Sequence, residues 1–178
     1  MTEPTSDSAG DTQIQPRRLP QVRIEPATPA NVPTILELIR ELADFERLLD
    51  QVVATEERLR ESLFGDRPYA EVLMARMASE SIGFALFFHN YSTFRAQPGM
   101  YLEDLYVRPG HRGLGIGTQL LARVAGIAVD RGCGRFEWSV LDWNQRAIDF
   151  YKALGAEPLS DWTMFRVSGD SLVALARR

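Results

Sequence analysis

The stretch Arg108-Pro-Gly-His-Arg-Gly-Leu-Gly-Ile-Gly117 joins a predicted strand to a predicted helix. Backbone N–H groups at such a junction can bind a phosphate, and the glycines at positions 113, 115 and 117 let the chain approach an anion without interference from Cβ atoms. A flexible turn is the alternative, because glycines are common in turns. An anion-binding loop is favoured because the following helix has an apolar stripe and ends at Gly132. The stripe consists of Ile116, Leu120, Leu121, Val124, Ile127 and Ala128.

Two common phosphate-binding loops do not fit this stretch. A dinucleotide-binding fingerprint requires the spacing G-x-G-x-x-G, whereas Gly113, Gly115 and Gly117 give G-x-G-x-G. A nucleoside-triphosphate loop requires Gly-Lys-Ser/Thr, but Gly117 is followed directly by Thr118. The sequence therefore predicts an anion-binding loop of a different kind.

The pattern of apolar residues along the chain predicts one α/β domain over residues 21–178. Strands are expected at 22–25, 71–77, 82–90, 100–107, 135–141 and 163–167, and helices at 29–47, 55–64, from 116 to Gly132, and at 147–154. A turn at 78–81 indicates antiparallel pairing of two of the strands. This order predicts a mixed sheet with helices on its faces. Residues 1–20 are rich in Thr, Ser, Pro, Asp and Gln, and we expect them to form a mobile tail.

Composition excludes several classes of protein. The 178 residues suit one domain, and no run of about 18 apolar residues predicts a membrane span. No basic segment followed by an apolar one marks a secretory signal. A single cysteine, Cys133, suits a reducing compartment, so we expect a cytoplasmic protein. The net charge of −4 argues against nucleic acid and for a small cationic partner, and no residue set with metal-ligand spacing predicts a metal site.

The spacing Arg112-x-x-Gly115-x-Gly117 resembles the acyl-coenzyme A pyrophosphate loop of the GNAT acetyltransferases. The preceding Tyr101-Leu-Glu-Asp-Leu-Tyr-Val107 is similar to the family's central strand, and Val140-Leu-Asp-Trp-Asn-Gln-Arg-Ala-Ile-Asp-Phe-Tyr-Lys-Ala-Leu-Gly-Ala156 is similar to its second motif. The similarity covers residues 22–176 and is closest to the diamine (spermidine/spermine) and thialysine N-acetyltransferase group. It implies the GNAT fold, acetyl-CoA as cosubstrate, a small cationic amine as acceptor, and a homodimer.

The resemblance also implies which residues bind the two substrates. Coenzyme contacts are expected from the backbone of Leu105, Tyr106 and Val107, from Arg112, Gly113, Leu114, Gly115, Ile116, Gly117 and Thr118, and from Asn144, Gln145, Arg146, Ala147 and Tyr151. Acceptor contacts are expected from Phe45, Glu46, Glu103, Asp104, Glu137, Trp138, Ser139, Asp161 and Trp162. Plainer interpretations stay open: Asn144 suits a helix N-cap, Glu46 suits a helix end, and the side chains of Leu105 and Val107 suit packing.

Acetyl transfer to an amine requires a proton donor and a proton acceptor. Tyr151 is the candidate acid, because a phenol with a pKa of about 10 can protonate a leaving thiolate, although a tyrosine on a short amphipathic helix is more often a core residue. Glu103 is the candidate base, acting through water. Glu103 and Asp104 point to opposite faces of a regular strand, so both can line one site only if the strand bulges.

The sequence also departs from the group's pattern in two places. Where the polyamine enzymes carry Asp-Pro-Trp, this chain has Ser92-Thr93-Phe94, which argues against spermine. The segment 159–162 is shorter than in the members of this group, which argues against the expected acceptor contact of Asp161. We therefore predict direct transfer, in a ternary complex, to thialysine, another lysine analogue or a short diamine.

The sequence also leaves two other functions open. Acetylation of a protein N-terminus or lysine is one alternative, and an acyl-CoA-binding sensor without turnover is the other. A ping-pong route through Cys133 is not expected, because neither His89 nor His111 is near it in sequence.

Overall fold

Within residues 21–178, which the structure describes, five β-strands form one sheet in the order β1-β2-β3-β4-β5. The structure is a computed structural model, and the tail expected at 1–20 lies outside its described residues. The first three pairings are antiparallel and the pairing of β4 with β5 is parallel, so the mixed sheet is confirmed. The strands are β1 (Val22–Pro26), β2 (Glu71–Met77), β3 (Glu80–Ser92), β4 (Gln97–Val107) and β5 (Phe136–Trp138).

The same residues form five α-helices. They are α1 (Val32–Phe45), α2 (Glu56–Phe64), α3 (Ile116–Asp130), α4 (Gln145–Ala153) and α5 (Gly169–Ala176). None of these described helices is long and apolar enough to cross a membrane. The chain divides into two compact units between Trp138 and Ser139. The single domain expected over 21–178 stays a prediction.

In the first unit, α1 and α2 cover one face of the sheet, because their apolar residues recur at helical spacing. The helix predicted at 55–64 begins one residue later, because Thr55 is its N-cap: the Thr55 Oγ1 accepts a hydrogen bond from the Arg58 N–H at 3.3 Å, and Gly65 follows the last turn. The core on this face consists of Ile35, Leu38, Leu63, Val72, Met74, Phe84 and Tyr106.

The helix α3 packs against β1 to β4 through most of the stripe that the sequence indicated. Leu73 and Ala75 of β2 are buried although Val72 and Met74 already face α1 and α2, so the sheet is covered on both faces. The buried residues of α3 are Ile116, Leu120, Leu121, Val124 and Ala128.

Several predicted boundaries are wrong. Pro29–Asn31 is a 3₁₀ turn, so α1 begins at Val32, and it ends at Phe45 because Arg47 has a left-handed φ of +62°. The strands β3 and β4 are longer than predicted: Met77 pairs with Glu80 across a two-residue turn, and the ladder between β3 and β4 extends to the pair of Ser92 with Gln97. The strand predicted at 135–141 covers only Phe136–Trp138, and the helix predicted at 147–154 is Gln145–Ala153.

In the second unit, the strand predicted at 163–167 is wrong. This segment is irregular, with Met164 and Phe165 exposed, and it forms no ladder in the described structure. Strand propensity describes how well side chains fit a pleated, half-buried surface. A segment with that propensity does not form a strand where it has no partner strand. The sequence analysis also missed α5, whose first turn carries Asp170, where the helix dipole favours a negative charge.

Two valines on α3 test the burial pattern. Val124 is 0% exposed and Val129 is 77% exposed. We expect Val124→Ala to lower the free energy of unfolding by about 2 kcal/mol, because it removes buried methyl groups and leaves a cavity. Val129→Ala makes the same chemical change at the surface and should cost less than about 0.5 kcal/mol. Urea denaturation measures both; equal losses would contradict the packing of α3 described above.

Candidate active site

The glycine loop runs from the end of β4 to the first turn of α3. A 3₁₀ turn at Pro109–His111 follows Arg108, and Gly113 and Gly115 then adopt left-handed φ angles of +81° and +75°. Gly115 is the N-cap of α3, and the Gln119 N–H is bonded to its carbonyl at 3.0 Å. The N–H groups at 116–118 precede that first helical bond, so they have no acceptor within the helix. This geometry suits a phosphate.

Arg112 connects this loop with the end of α1. Its Nε donates to the Val107 carbonyl at 2.8 Å, which closes the loop onto the end of β4. Its guanidinium lies over two rings, 4.9 Å from the centroid of Phe45 and 5.5 Å from that of Tyr106. Phe45, expected among the acceptor residues, therefore also contacts the coenzyme loop that the sequence predicts.

The strand β4 bulges at Glu103. Leu86 and Phe87 are consecutive in β3, but their partners in β4 are Asp104 and Leu102, so Glu103 is an extra residue without a partner in that ladder. A bulge of this kind removes the strict alternation of side chains. Glu103 and Asp104 are therefore not forced to opposite faces, which was the obstacle to placing both in one site.

Glu103 and Asp104 lie at this bulge, and the negative charge of Glu46, which follows α1, also acts on Asp104. Burial, and then the negative charges of Glu103 and Glu46, raise the pKa of Asp104 to about 7. Burial also raises the pKa of Glu46 above its usual value. We call these three residues the acidic cluster. A cation bound there would offset the repulsion among the carboxylates.

Along its other edge, β4 is paired with β5, and this pairing ends at Leu102, next to the bulge. The parallel ladder with β5 pairs Met100 with Phe136, Tyr101 with Glu137 and Leu102 with Trp138, and β5 adds no pair beyond these. The β4 backbone at 105–107, expected to contact the coenzyme, therefore lies beyond the ladder that β5 provides.

Glu137 does not belong to the acidic cluster as the structure presents it. Its Oε2 accepts from Asn90 Nδ2 at 2.8 Å and lies 2.9 Å from Arg135 Nε, so its charge is already paired. Trp138 packs edge-on against Phe136, with ring centroids 5.0 Å apart. An acceptor role for these two residues stays a prediction.

The second unit contains the remaining candidates. Asn144 is the N-cap of α4, its Oδ1 accepting from the Ala147 N–H at 3.2 Å, so the N-cap interpretation is confirmed. Tyr151 is half-buried on α4, and its ring centroid lies 5.3 Å from that of Phe150. Ser139, Asp161 and Trp162 are exposed. Coenzyme roles for Asn144, Gln145, Arg146 and Ala147 and the acid role of Tyr151 stay predictions.

The sequence analysis missed the surroundings of Arg108. This residue forms ion pairs with Glu37 and Glu41 of α1 and with Glu80 of β3. The sequence carries one signal, the spacing of four residues between Glu37 and Glu41, which places both on one side of the helix.

Comparisons with known proteins bear on the family of this chain. A model of the Acetyltransferase (GNAT) family matches residues 36–156. A thialysine N-epsilon-acetyltransferase of Bos taurus is 42% identical over 166 residues, which cover 87% of this chain and 97% of the relative. An L-ornithine N5-acetyltransferase of Arabidopsis thaliana is 36% identical over 198 residues, covering 86% of this chain and 87% of the relative.

Among solved structures, an integron cassette protein from the mobile metagenome of V. cholerae has a TM-score of 0.75 at 27% identity, covering 88% of this chain and 98% of that one. The resemblance seen in the sequence and the fold that it implied are thereby confirmed. The chain belongs to the acetyltransferase (GNAT) family.

Proposed function

We propose that this enzyme transfers the acetyl group of acetyl-CoA directly to a small primary amine, within a ternary complex. The proposal depends on the acidic cluster. Two of its three carboxylates, those of Glu103 and Asp104, belong to β4, the strand that leads directly into the glycine loop. A cationic amine is attracted to such a cluster, and the loop suits the coenzyme's pyrophosphate. One strand thus positions both reactants.

Backbone groups account for the proposed binding of the coenzyme. Phosphates bind the N–H groups at 116–118 and the left-handed glycine turns before them. A backbone N–H at 105–107 polarises the thioester carbonyl, and an oxyanion donor of this kind contributes about 3 kcal/mol to transition-state stabilisation.

The transfer itself moves three protons. An alkylammonium loses the first to Glu103, which is exposed and acts through water. The neutral nitrogen then bonds to the thioester carbon as the carbon–sulfur bond breaks, and Tyr151 supplies a proton to the thiolate. The acylated nitrogen, now positive, gives up its second proton to Tyr151, which leaves a neutral amide, a free thiol and one proton on Glu103 for release to water. Asp104 stays beside the nitrogen and counters its positive charge.

The acceptor that we propose is thialysine, another lysine analogue or a short diamine. The relatives' names support it, since both thialysine N-epsilon-acetyltransferase and L-ornithine N5-acetyltransferase denote acetylation of a side-chain nitrogen of an amino acid. We further propose a cytoplasmic homodimer: the single cysteine suits a reducing compartment, and the homodimer follows the family resemblance.

Thiol release from acetyl-CoA tests the acceptor. The panel is thialysine, lysine, putrescine, spermidine, spermine and a short peptide. We expect kcat/KM to be highest for thialysine or a diamine, because the acidic cluster is matched to a compact cation. Preference for the peptide would indicate a protein acetyltransferase, and coenzyme binding without any turnover would indicate a sensor; either result contradicts the proposal.

Removal of one hydroxyl group tests the proposed acid. Tyr151→Phe should lower kcat by about 100-fold, because general acid catalysis typically contributes that much or more, while the Kd of the coenzyme changes little. Tyr69→Phe removes the same group from an exposed side chain and serves as the control. Unchanged turnover in Tyr151→Phe would assign Tyr151 to packing.

The pH dependence tests Asp104. Since its pKa is about 7, kcat/KM for a small amine should fall about tenfold per pH unit below that value, as the carboxylate that counters the ammonium is lost. Asp104→Asn should remove this break from the profile, whereas Asp66→Asn, an exposed change after α2, should keep it.

Stability gives an independent check of the same pKa. The folded-state pKa of Asp104 lies above the ordinary 3.8, so folding favours the protonated carboxyl. Its contribution to stability is fully present below about pH 4 and is lost as the pH rises through about 7. The free energy of unfolding of Asp104→Asn should therefore rise relative to wild type over this range; a constant difference would contradict the shifted pKa.

A further inference from the structure

One side of α1 faces the glycine loop. Glu37, Glu41 and Phe45 are each four residues apart, so they lie on the same side of the helix. Glu37 and Glu41 contact Arg108, and Phe45 contacts Arg112. The loop is therefore attached to three successive turns of α1.

Arg108, the first residue of the loop, contacts three carboxylates. Its Nη2 donates to Glu37 Oε1 at 2.7 Å and to Glu41 Oε1 at 2.8 Å, and its Nε donates to the two Glu41 oxygens at 3.1 and 3.2 Å. Its Nη1 donates to Glu80 Oε1 at 3.3 Å. Forked arginine–carboxylate pairs are directional, and networks are the setting in which ion pairs near the surface contribute measurably.

Tyr106 connects the contacts of Arg108 with those of Arg112. Burial, and then the Glu41 carboxylate, raise the pKa of the Tyr106 phenol, so Glu41 lies next to it as well as to Arg108. The Tyr106 ring lies under Arg112, which also covers Phe45. We call this set the arginine clamp; it consists of Glu37, Glu41, Phe45, Tyr106, Arg108 and Arg112.

The charges around Arg108 argue against a role in phosphate binding. Its one positive charge faces the negative charges of Glu37, Glu41 and Glu80, so Arg108 together with its three ion-pair partners is negative as a whole. An approaching phosphate would be repelled by these carboxylates. The side chain of Arg108 therefore serves to fix the loop rather than to bind the anion.

We propose that Arg108 is a positioning residue that fixes the glycine loop to α1 and thereby couples coenzyme binding at the loop to amine binding at the end of α1. This rests on the proposed function, which places the coenzyme on the loop and the amine beside Glu46. With the clamp intact, the loop is already ordered before the coenzyme arrives. Without it, part of the binding free energy is consumed in ordering the loop.

The test is a calorimetric titration with coenzyme A, which carries no acetyl group and so permits no turnover. The Kd is measured with and without saturating thialysine in wild type, Arg108→Gln and Arg108→Lys. Arg131→Gln is the matched control, because Arg131 also forms a forked pair with a carboxylate, Glu71, with Nη2 2.8 Å from Oε2, but at the far end of α3.

We expect Arg108→Gln to raise the Kd of coenzyme A about tenfold and to abolish its dependence on thialysine, a coupling of ordinary size between two sites. Arg131→Gln should match wild type in both respects. Arg108→Lys should recover part of the affinity, because lysine keeps the charge and loses the fork.

Three results would overturn the proposal. They are an unchanged Kd in Arg108→Gln, equal increases in Arg108→Gln and Arg131→Gln, and a wild-type Kd that thialysine does not alter. Failure of the proposed function is seen separately in the thiol-release assay. A protein that acetylates no amine but shows the Kd increase for Arg108→Gln alone keeps the loop-positioning role and loses both the acceptor and the coupling to it.

Discussion

The irregular pairing of β4 at Glu103 is the constraint on which the candidate site depends. On one side the ladder with β3 skips Glu103, and on the other the ladder with β5 ends at Leu102. A strand paired regularly on both sides would send neighbouring carboxylates to opposite faces and use its backbone groups in the sheet. Because one ladder skips a residue where the other ends, two carboxylate side chains and the backbone edge that follows them become available together.

This arrangement has an energetic cost that the rest of the first unit must offset. Partial burial of Asp104 near two other carboxylates opposes its ionisation, as its raised pKa records. Gly113 and Gly115 occupy conformations that other residues adopt only with strain. Groups kept in unfavourable states concentrate where proteins bind and react, and here they lie at the end of one strand and in the loop that follows it.

Local signals in the sequence predicted the parts of the fold that depend on local order. The loop at 108–117, the stripe of α3 and nearly all of the helix at 55–64 follow from the spacing of glycines and apolar residues and from signals at the helix ends, and the structure has them. The bulge at Glu103 could not be predicted from the sequence, because it depends on how the residues of β4 pair with those of β3. The last predicted strand failed for a related reason: its residues suit a strand, but strand formation requires a partner.

Long-range ion pairs were beyond prediction for the same reason. Arg108 and Glu41 are 67 positions apart in the sequence, and nothing near either residue indicates the other. The sequence placed Glu46, Glu103 and Asp104 in one site only through family resemblance. The structure adds the cause, since the end of α1 and the bulge of β4 bring their charges within range of one another.

The acidic cluster also has a consequence for how an acceptor enters. An amino acid with a side-chain amine carries a positive nitrogen at one end and a carboxylate beside its α-amine at the other. Above the pKa of Asp104, three negative side chains attract the first end and repel the second. For the acceptor proposed above, such a field orients the molecule before close contact forms, with its side-chain nitrogen leading, and so favours acetylation of that nitrogen over the α-amine.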